Sequence, residues 1–553
     1  MMLHSPPPIS VRLSFPSAVH AAPITGRVFL IVTNAATPEP RIQILEPETS
    51  PPFFGEDVNA LRPGASAVID ASTPGYAVSR LALLSAGTYD VEAFISIYES
   101  YHRADGHTIW APPQWGPQVF SLEPGNLYSG IERVHLDPKH GISLHLSMSH
   151  VVTDAQLAAL LGGQGYATDT PWIKHVRILS PTLTRWWGRP IYLGATILLP
   201  RGYASHPESH YPVVYNQGHY YQPVPWDFTT DVRTETPAAV AEGRRDGLGT
   251  GYEFYEAWNS AHFPRFLMVT FQHPCPFFDD SYAVNTANCG PFGDALMNEL
   301  IPYVETHYRV LREPYARITE GGSTGGWESL ALLEQHPSFF GEAWVFDPDP
   351  IDFHAFQQID LYKDANAFGV PSPGGWHTFV RPWSRTPSGQ VLGTERELSR
   401  YELVMGSHGR SQYQLDGWWA IFDPARADGY PAPMWNMRTG AIDRNVVAYA
   451  RDRGYDLTGY LRRNWTTIGP DLVGKLHFFV GDMDSYYLNL AVYKMQAFLQ
   501  TATNPAPHAT FAYGRPMKGH GWHPMTWAQL LQDMAAQVRT HVPAGQGTAQ
   551  WNY

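Results

Sequence analysis

The chain has 553 residues, 44% hydrophobic and only 16% charged; that is longer than one domain normally holds, and the composition is globular rather than disordered. Its net charge is −13 with no basic run, which argues against nucleic acid and anionic membrane surfaces as partners, and no apolar run approaches the ~18–20 residues of a transmembrane helix. The opening Met1-Met2-Leu3-His4-Ser5-Pro6-Pro7-Pro8 has neither the basic nor the apolar stretch of a signal peptide, so a cytoplasmic chain, or an exported one with its leader removed, is expected.

Residues from about 9 to 165 read as β structure. Val11-Arg-Leu-Ser-Phe15, Gly26-Arg-Val-Phe-Leu-Ile-Val-Thr33 and Tyr89-Asp-Val-Glu-Ala-Phe-Ile-Ser96 are short apolar runs between Pro- and Gly-rich turns, the pattern of a β-sandwich-like domain over 1–165. No self-contained binding signature is visible there, so the domain is expected to pack on the rest of the chain or to build part of an active-site rim. Asp154 to Leu161, followed by Gly162-Gly163, predicts a short helix or linker into a second domain spanning 166–553.

In that second domain strands alternate with helices, which predicts an α/β architecture: a mostly parallel sheet with helices on both faces. Tyr211-Pro-Val-Val-Tyr215 reads as a strand, with Asn216-Gln-Gly-His219-Tyr220 on the loop after it. Phe266 to Thr270 is another, and the loop beyond it holds both cysteines of the chain, Cys275 and Cys289. Two cysteines make no disulfide framework, so a loop-closing disulfide and free thiols both remain open; no Cys/His spacing suggests zinc. Glu299 to His307 reads as the helix before the next strand.

Tyr315-Ala-Arg-Ile-Thr319 then leads into Gly321-Gly322-Ser323-Thr324-Gly325-Gly326, and a helical run leads out and stops at Pro337. Gly-x-Ser-x-Gly between strand and helix predicts a nucleophile elbow, with Ser323 in a strained turn and small neighbours where the two backbones nearly touch. The pentapeptide alone is weak in a chain with 48 glycines; the flanking elements, and an acid and a histidine in the right order downstream, carry the reading.

After the strand Ala343 to Phe346 comes Asp347-Pro348-Asp349-Pro350. These carboxylates offer an alternative catalytic acid or metal ligands, though capping a proline-stiffened loop is the simpler role. About 130 residues then precede the next strand at 476–480, far more than a crossover needs. This cap-like insert, at about 350–470, carries Trp376, His377, Trp383, Trp418, Trp419, Trp435 and Trp465. Most of these aromatics are expected in the insert's own core and some in the wall of a cleft above the serine.

Leu476-His-Phe-Phe-Val480 ends in Gly481-Asp482-Met483-Asp484, and an acid just past a strand's carboxyl end is where such sheets collect site residues. Asp484 is the preferred acid, with Asp482 as the alternative. Ala509-Thr-Phe-Ala-Tyr513 is the last strand, and the loop beyond it holds His520 and His523. His520, in a Gly-His-Gly setting, is the preferred general base and His523 the alternative. Ser323, Asp484 and His520 follow the chain order Ser–acid–His. The backbone N–H of Thr324, with those near His219 and Tyr220, is expected to form the oxyanion hole. A closing helix is predicted from Pro524 to about Val542.

Roughly residues 170–540 resemble the esterase family of α/β-hydrolases that includes esterase D, feruloyl esterases and enterochelin esterases. The matching pieces are Tyr211 to Tyr215, Glu299 to Val304, Gly322 to Gly326, His336-Pro337 with Phe340-Gly341, and Gly519-His520 followed by Trp527. The resemblance implies an α/β-hydrolase fold and a cofactor-free serine esterase with Ser323, Asp484 and His520 as its triad. The Trp-rich insert points to aromatic or carbohydrate-linked, small-molecule or glycan-linked esters. The chain departs from the family in having Gly218-His219 where His-Gly is usual. The rival readings are a serine peptidase or amidase on the same fold and a binding protein that lost the chemistry.

Overall fold

The computed structural model describes residues 8–114, 120–160, 168–218, 224–544, 548, 551 and 553. The predicted Gly162-Gly163 linker, His219 and Tyr220 lie outside them.

The first part of the chain forms a three-stranded sheet around Ile9–Ser14 and a seven-stranded sheet around Ile24–Thr33. Within Ile24–Thr33, the stretch from Val28 to Val32 runs apolar without a break, and the packing shows why. Alternate side chains leave opposite faces of a strand. Val28, Leu30 and Val32 therefore point between the two sheets, onto Val11, Leu13, Ile69 and Leu146. Phe29 and Ile31 point the other way, into a second cluster with Phe53, Tyr76, Phe94 and Tyr401. Both faces of this stretch are covered, so apolar side chains fill both.

The cover on the second face comes from the distant insert. Tyr401 meets the rings of Phe53 and Tyr76 edge-on at 5.6 and 5.0 Å, and its hydroxyl donates to the Ile44 carbonyl at 2.8 Å. Arg27 donates to the Val404 carbonyl at 2.8 Å. Two acids of the 46–48 loop also reach the insert, Glu46 accepting from Tyr413 Oη at 2.6 Å and Glu48 from Ser384 Oγ at 2.7 Å.

The second part is built on one eight-stranded sheet. Its strands are β1 (Ile173–Leu179), β2 (Tyr192–Leu198), β3 (Val213–Gln217), β4 (Leu267–Gln272), β5 (Arg317–Gly322), β6 (Glu342–Phe346), β7 (Leu476–Gly481) and β8 (Thr510–Gly514). They lie side by side as β1-β2-β4-β3-β5-β6-β7-β8. Only β2 runs against its neighbours; every pair from β4 to β8 is parallel. That order with a single reversed second strand is the α/β-hydrolase sheet. The middle strands β5, β6 and β7 are buried almost end to end, as parallel strands covered on both faces should be.

Helix α1 (Thr324–Gln335) follows β5 and is buried from Thr324 to Glu334. A helix enclosed on all sides has no polar face to show, which suits its Leu330-Ala-Leu-Leu333 centre. Between β6 and β7 the insert contributes four longer helices, including α2 (Glu395–Met405) and α3 (Gln414–Phe422). Trp418, Trp419, Trp435 and Trp465 are all buried, as expected of a local core, whereas Trp376 is 86% exposed. The closing helix runs Trp527–His541. Cys275 and Cys289 are buried free thiols with their sulfurs 2.9 Å apart. Among the described residues no helix is long and apolar enough to cross a membrane.

Tyr401 joins the insert to the first sheets through two ring contacts and a buried hydrogen bond. Tyr401→Ala should therefore lower unfolding stability by about 3–5 kcal/mol, read as a lower denaturant midpoint; an unchanged midpoint would show that this contact holds little.

Candidate active site

Ser323 stands between β5 and α1 with φ 57° and ψ −120°, a conformation a residue with a Cβ adopts only under constraint. The constraint is the closeness of three backbones. A Cβ on Gly325 would lie 2.3 Å from the Gln217 carbonyl oxygen at the end of β3, and one on Gly326 would lie 2.5 Å from the Phe346 carbonyl oxygen at the end of β6. A Cβ on Gly321 would meet Gly325 at 2.6 Å, while at Gly322 nothing is nearer than 3.9 Å. The turn is pinned from outside as well: Ser323 N–H donates to Phe346 O and Asp349 N–H donates to Ser323 O, each at 3.0 Å. Thr324 opens α1, where backbone N–H groups have no partner within the helix and suit a developing oxyanion.

The loops after β7 and β8 bring Asp484 and His520 together. His520 Nδ1 is 2.7 Å from Asp484 Oδ2. The other oxygen, Oδ1, accepts from the backbone N–H of Tyr486 and Leu488 at 2.9 and 3.0 Å, so the buried carboxylate is fixed before it meets the ring. Tyr486 packs edge-on against the imidazole at 5.0 Å. The alternatives stand elsewhere. Asp482 faces Arg515 at 3.9 Å. His523 is buried, stacked on Phe346 and hydrogen-bonded to Gly521 O at 2.9 Å, and burial pushes its imidazole down to about 4.

Burial disfavours charge on His520 too, but the hydrogen-bonded Asp484 carboxylate, with Asp347 and Asp349 beyond it, outweighs that effect and lifts the ring to about 9. Asp347 accepts from Gly481 N–H through Oδ1 at 3.1 Å and from Gly521 N–H through Oδ2 at 3.0 Å. It thereby ties the loop of Asp484 to the loop of His520, and burial raises its own pKa. One ligand atom each of Asp347, Asp484 and His520 lies within 4.8 Å of the others, a spacing that would admit a cation. Those atoms already satisfy one another or backbone N–H groups.

Asp349 carried little weight as a site residue on sequence grounds, yet among the described residues it is Asp349 and not His520 that takes the Ser323 hydroxyl, Oγ to Oδ1, at 3.4 Å. The four groups on its other oxygen are Tyr282 Oη at 2.5 Å, Thr324 Oγ1 at 2.9 Å, Trp418 Nε1 at 3.1 Å and Gln414 Nε2 at 3.2 Å. Tyr282 and Gln414 were not among the expected site residues, whereas Trp418 was one of the insert aromatics of which some were expected in the cleft wall. The insert was expected to wall the site with aromatic faces; Trp418 instead contributes its N–H. A signal common to this region is backbone strain: Tyr282, Ser323, Asp347 and Tyr487 all have positive φ, and such outliers gather at functional sites. Only at Ser323 does the sequence pattern announce it. Of the expected oxyanion donors, Thr324 is placed; His219 and Tyr220 lie outside the described residues.

No family model and no curated protein matches the chain. Among solved structures, a ferulic acid esterase is similar over 66% of this chain and 98% of its own, at 14% identity and a TM-score of 0.35. A fluorophosphonate-binding serine hydrolase of Staphylococcus aureus matches over 66% and 98%, at 12% and 0.32. An S-formylglutathione hydrolase from Agrobacterium tumefaciens matches over 68% and 97%, at 12% and 0.31. At those scores the likeness carries no weight for the site, and the fold class follows from the strand order and the elbow themselves.

Gly325→Ala must push the elbow off β3 and should cost about 1–3 kcal/mol of stability. Gly322→Ala, with open space at its Cα, should leave the unfolding midpoint near that of the parent protein. Equal effects of the two would contradict the close-approach account.

Proposed function

We propose that the protein is a serine hydrolase acting on carboxylic esters, with Ser323 as nucleophile, His520 as general base and then general acid, and Asp484 as the group that orients His520. The observation that supports this most is the 2.7 Å His520–Asp484 contact on the last two strand-end loops, in the sheet whose central strand ends in a strained serine. Asp349 links the two halves, since it hydrogen-bonds Ser323 and its charge acts on His520.

In this reading the Ser323 hydroxyl leaves Asp349 when substrate binds and gives its proton to His520 as Oγ attacks the carbonyl carbon. The tetrahedral oxyanion is met by the Thr324 N–H, with a second donor expected from the 218–220 loop. His520 passes the proton to the departing alcohol. Water, deprotonated by the same imidazole, then releases the acid from the acyl-enzyme. Asp484 remains ionised throughout and stabilises the imidazolium. Every group in this reaction other than substrate and water is a side chain or backbone N–H of this chain, and no cofactor is called on. The rival binding-protein reading draws on one feature, the resting hydrogen bond from Ser323 to Asp349 rather than to His520.

Ser323→Ala should abolish hydrolysis of p-nitrophenyl acetate, by roughly 10⁴-fold or more in kcat, while its circular dichroism matches the parent's. No hydrolysis by the parent, or full activity in the variant, would end the assignment.

The base must be neutral to accept a proton, so kcat/KM should fall as pH drops below about 9, the value to which the surrounding carboxylates lift His520. Asp484→Asn should lower the rate and move this limb toward the ordinary histidine range, near 6.5. A limb already near 6.5 in the parent would show that those carboxylates do not act on the ring.

A further inference from the structure

Asp349 is a built acceptor with one oxygen to spare. It is 2% exposed. Its Oδ2 is surrounded by Tyr282 Oη, Thr324 Oγ1, Trp418 Nε1 and Gln414 Nε2. Those donors come from three separate parts of the fold: the loop after β4, the first residue of α1, and α3 of the insert. They also bind one another, Gln414 Nε2 donating to Tyr282 Oη at 2.8 Å and Tyr282 Oη meeting Thr324 Oγ1 at 3.2 Å. Burial and the neighbouring acids hold the Tyr282 phenol well above its usual pKa, so it stays a donor. These donors hold Oδ2 in place and compensate its removal from water.

The remaining oxygen, Oδ1, faces the nucleophile. Its contact is the Ser323 hydroxyl, at a long 3.4 Å. A fixed carboxylate beside the attacked carbon is costly in a site that must also stabilise a developing oxyanion. It becomes useful once a donor on the substrate engages it. The leaving alcohol has to face His520, which protonates it, whereas the acyl group stays bonded to Oγ through both half-reactions. A donor on the carbon next to the carbonyl lies only a few covalent bonds from Oγ and competes with the serine for Oδ1.

We infer that Asp349 Oδ1 is the recognition group for the acyl side of the substrate, and that the enzyme takes esters whose acyl chain carries a hydroxyl or ammonium donor on the carbon next to the carbonyl. This rests on the reading of Ser323 as the nucleophile. By occupying Oδ1 the substrate's donor frees the serine hydroxyl for His520, so that recognition and activation are one event. An acyl chain with an anion at that position is repelled by the carboxylate, and one with a methyl there leaves Oδ1 without its partner.

The test uses the full-length protein and three p-nitrophenyl esters: lactyl, propionyl and the half-ester of malonic acid. Each kcat/KM is divided by that ester's own hydroxide-catalysed rate. The lactyl ester should exceed the propionyl ester by at least about tenfold, with the malonyl ester the poorest of the three. Asp349→Asn keeps the shape but can turn an N–H toward Ser323, and should reduce the lactyl-to-propionyl ratio at least tenfold while narrowing the gap to the malonyl ester. Equal normalised rates for lactyl and propionyl esters in the parent overturn the proposal without any variant, so a poorly folding Asp349→Asn does not shelter it. An Asp349→Asn protein that folds and keeps the parent's ratio overturns it equally. If the parent cleaves none of the three and Ser323→Ala changes nothing, the esterase reading has failed and this proposal falls with it. If the propionyl ester is cleaved through Ser323 without a lactyl preference, only this proposal falls.

Discussion

Three backbones meet at Gly325: the end of β3, the turn after β5 and the first residues of α1. The Gln217 carbonyl stands where a Cβ would be, at 2.3 Å. This closeness leaves Ser323 no ordinary conformation, and φ 57° with ψ −120° is the result. The same turn opens α1, whose first backbone N–H groups have no partner within the helix. Hydrogen bonds from Ser323 N–H to β6 and from Asp349 N–H back to Ser323 O then fix the loop after β6 against the turn. The position of Asp349, and through it Tyr282, Gln414 and Trp418, depends on that contact.

Charge is the second organising feature. Asp347, Asp349 and Asp484 act on one imidazole, and each carboxyl group is held by a different set of partners. Asp484 has two backbone N–H groups and the ring, Asp347 has one backbone N–H from each of two loops, and Asp349 has a cage of side-chain donors. Their division of labour comes from these partners. Asp484 touches His520, Asp347 joins the loops that carry Asp484 and His520, and Asp349 faces Ser323.

Much of this was legible in the sequence because it depends on order along the chain. Ser323, Asp484 and His520 each come after an apolar strand run, and each stands at the carboxyl end of its strand in the fold. Of the two candidate acids and two candidate histidines, Asp484 and His520 meet at 2.7 Å, while Asp482 faces Arg515 and His523 stacks on Phe346. The features that stayed hidden depend on contacts between segments far apart. Asp349 reads locally as one of two acids in a proline-stiffened loop, and nothing in Asp-Pro-Asp-Pro announces donors supplied from residues 282, 414 and 418. Val28 to Val32 reads as a buried strand, but the partner of its second face, Tyr401, lies more than 350 residues on and is invisible to any local pattern. Backbone strain at Tyr282 is likewise imposed by packing, since tyrosine does not favour positive φ by itself.

The central claim is that this strained serine is an activated nucleophile. The most direct measurement is reaction of the native protein with a fluorophosphonate probe, with the modified residue located by peptide mass spectrometry. A single adduct on Ser323, lost when the protein is unfolded before exposure, is the predicted result. No adduct, or an adduct on another residue with Ser323 unmodified, would contradict the account.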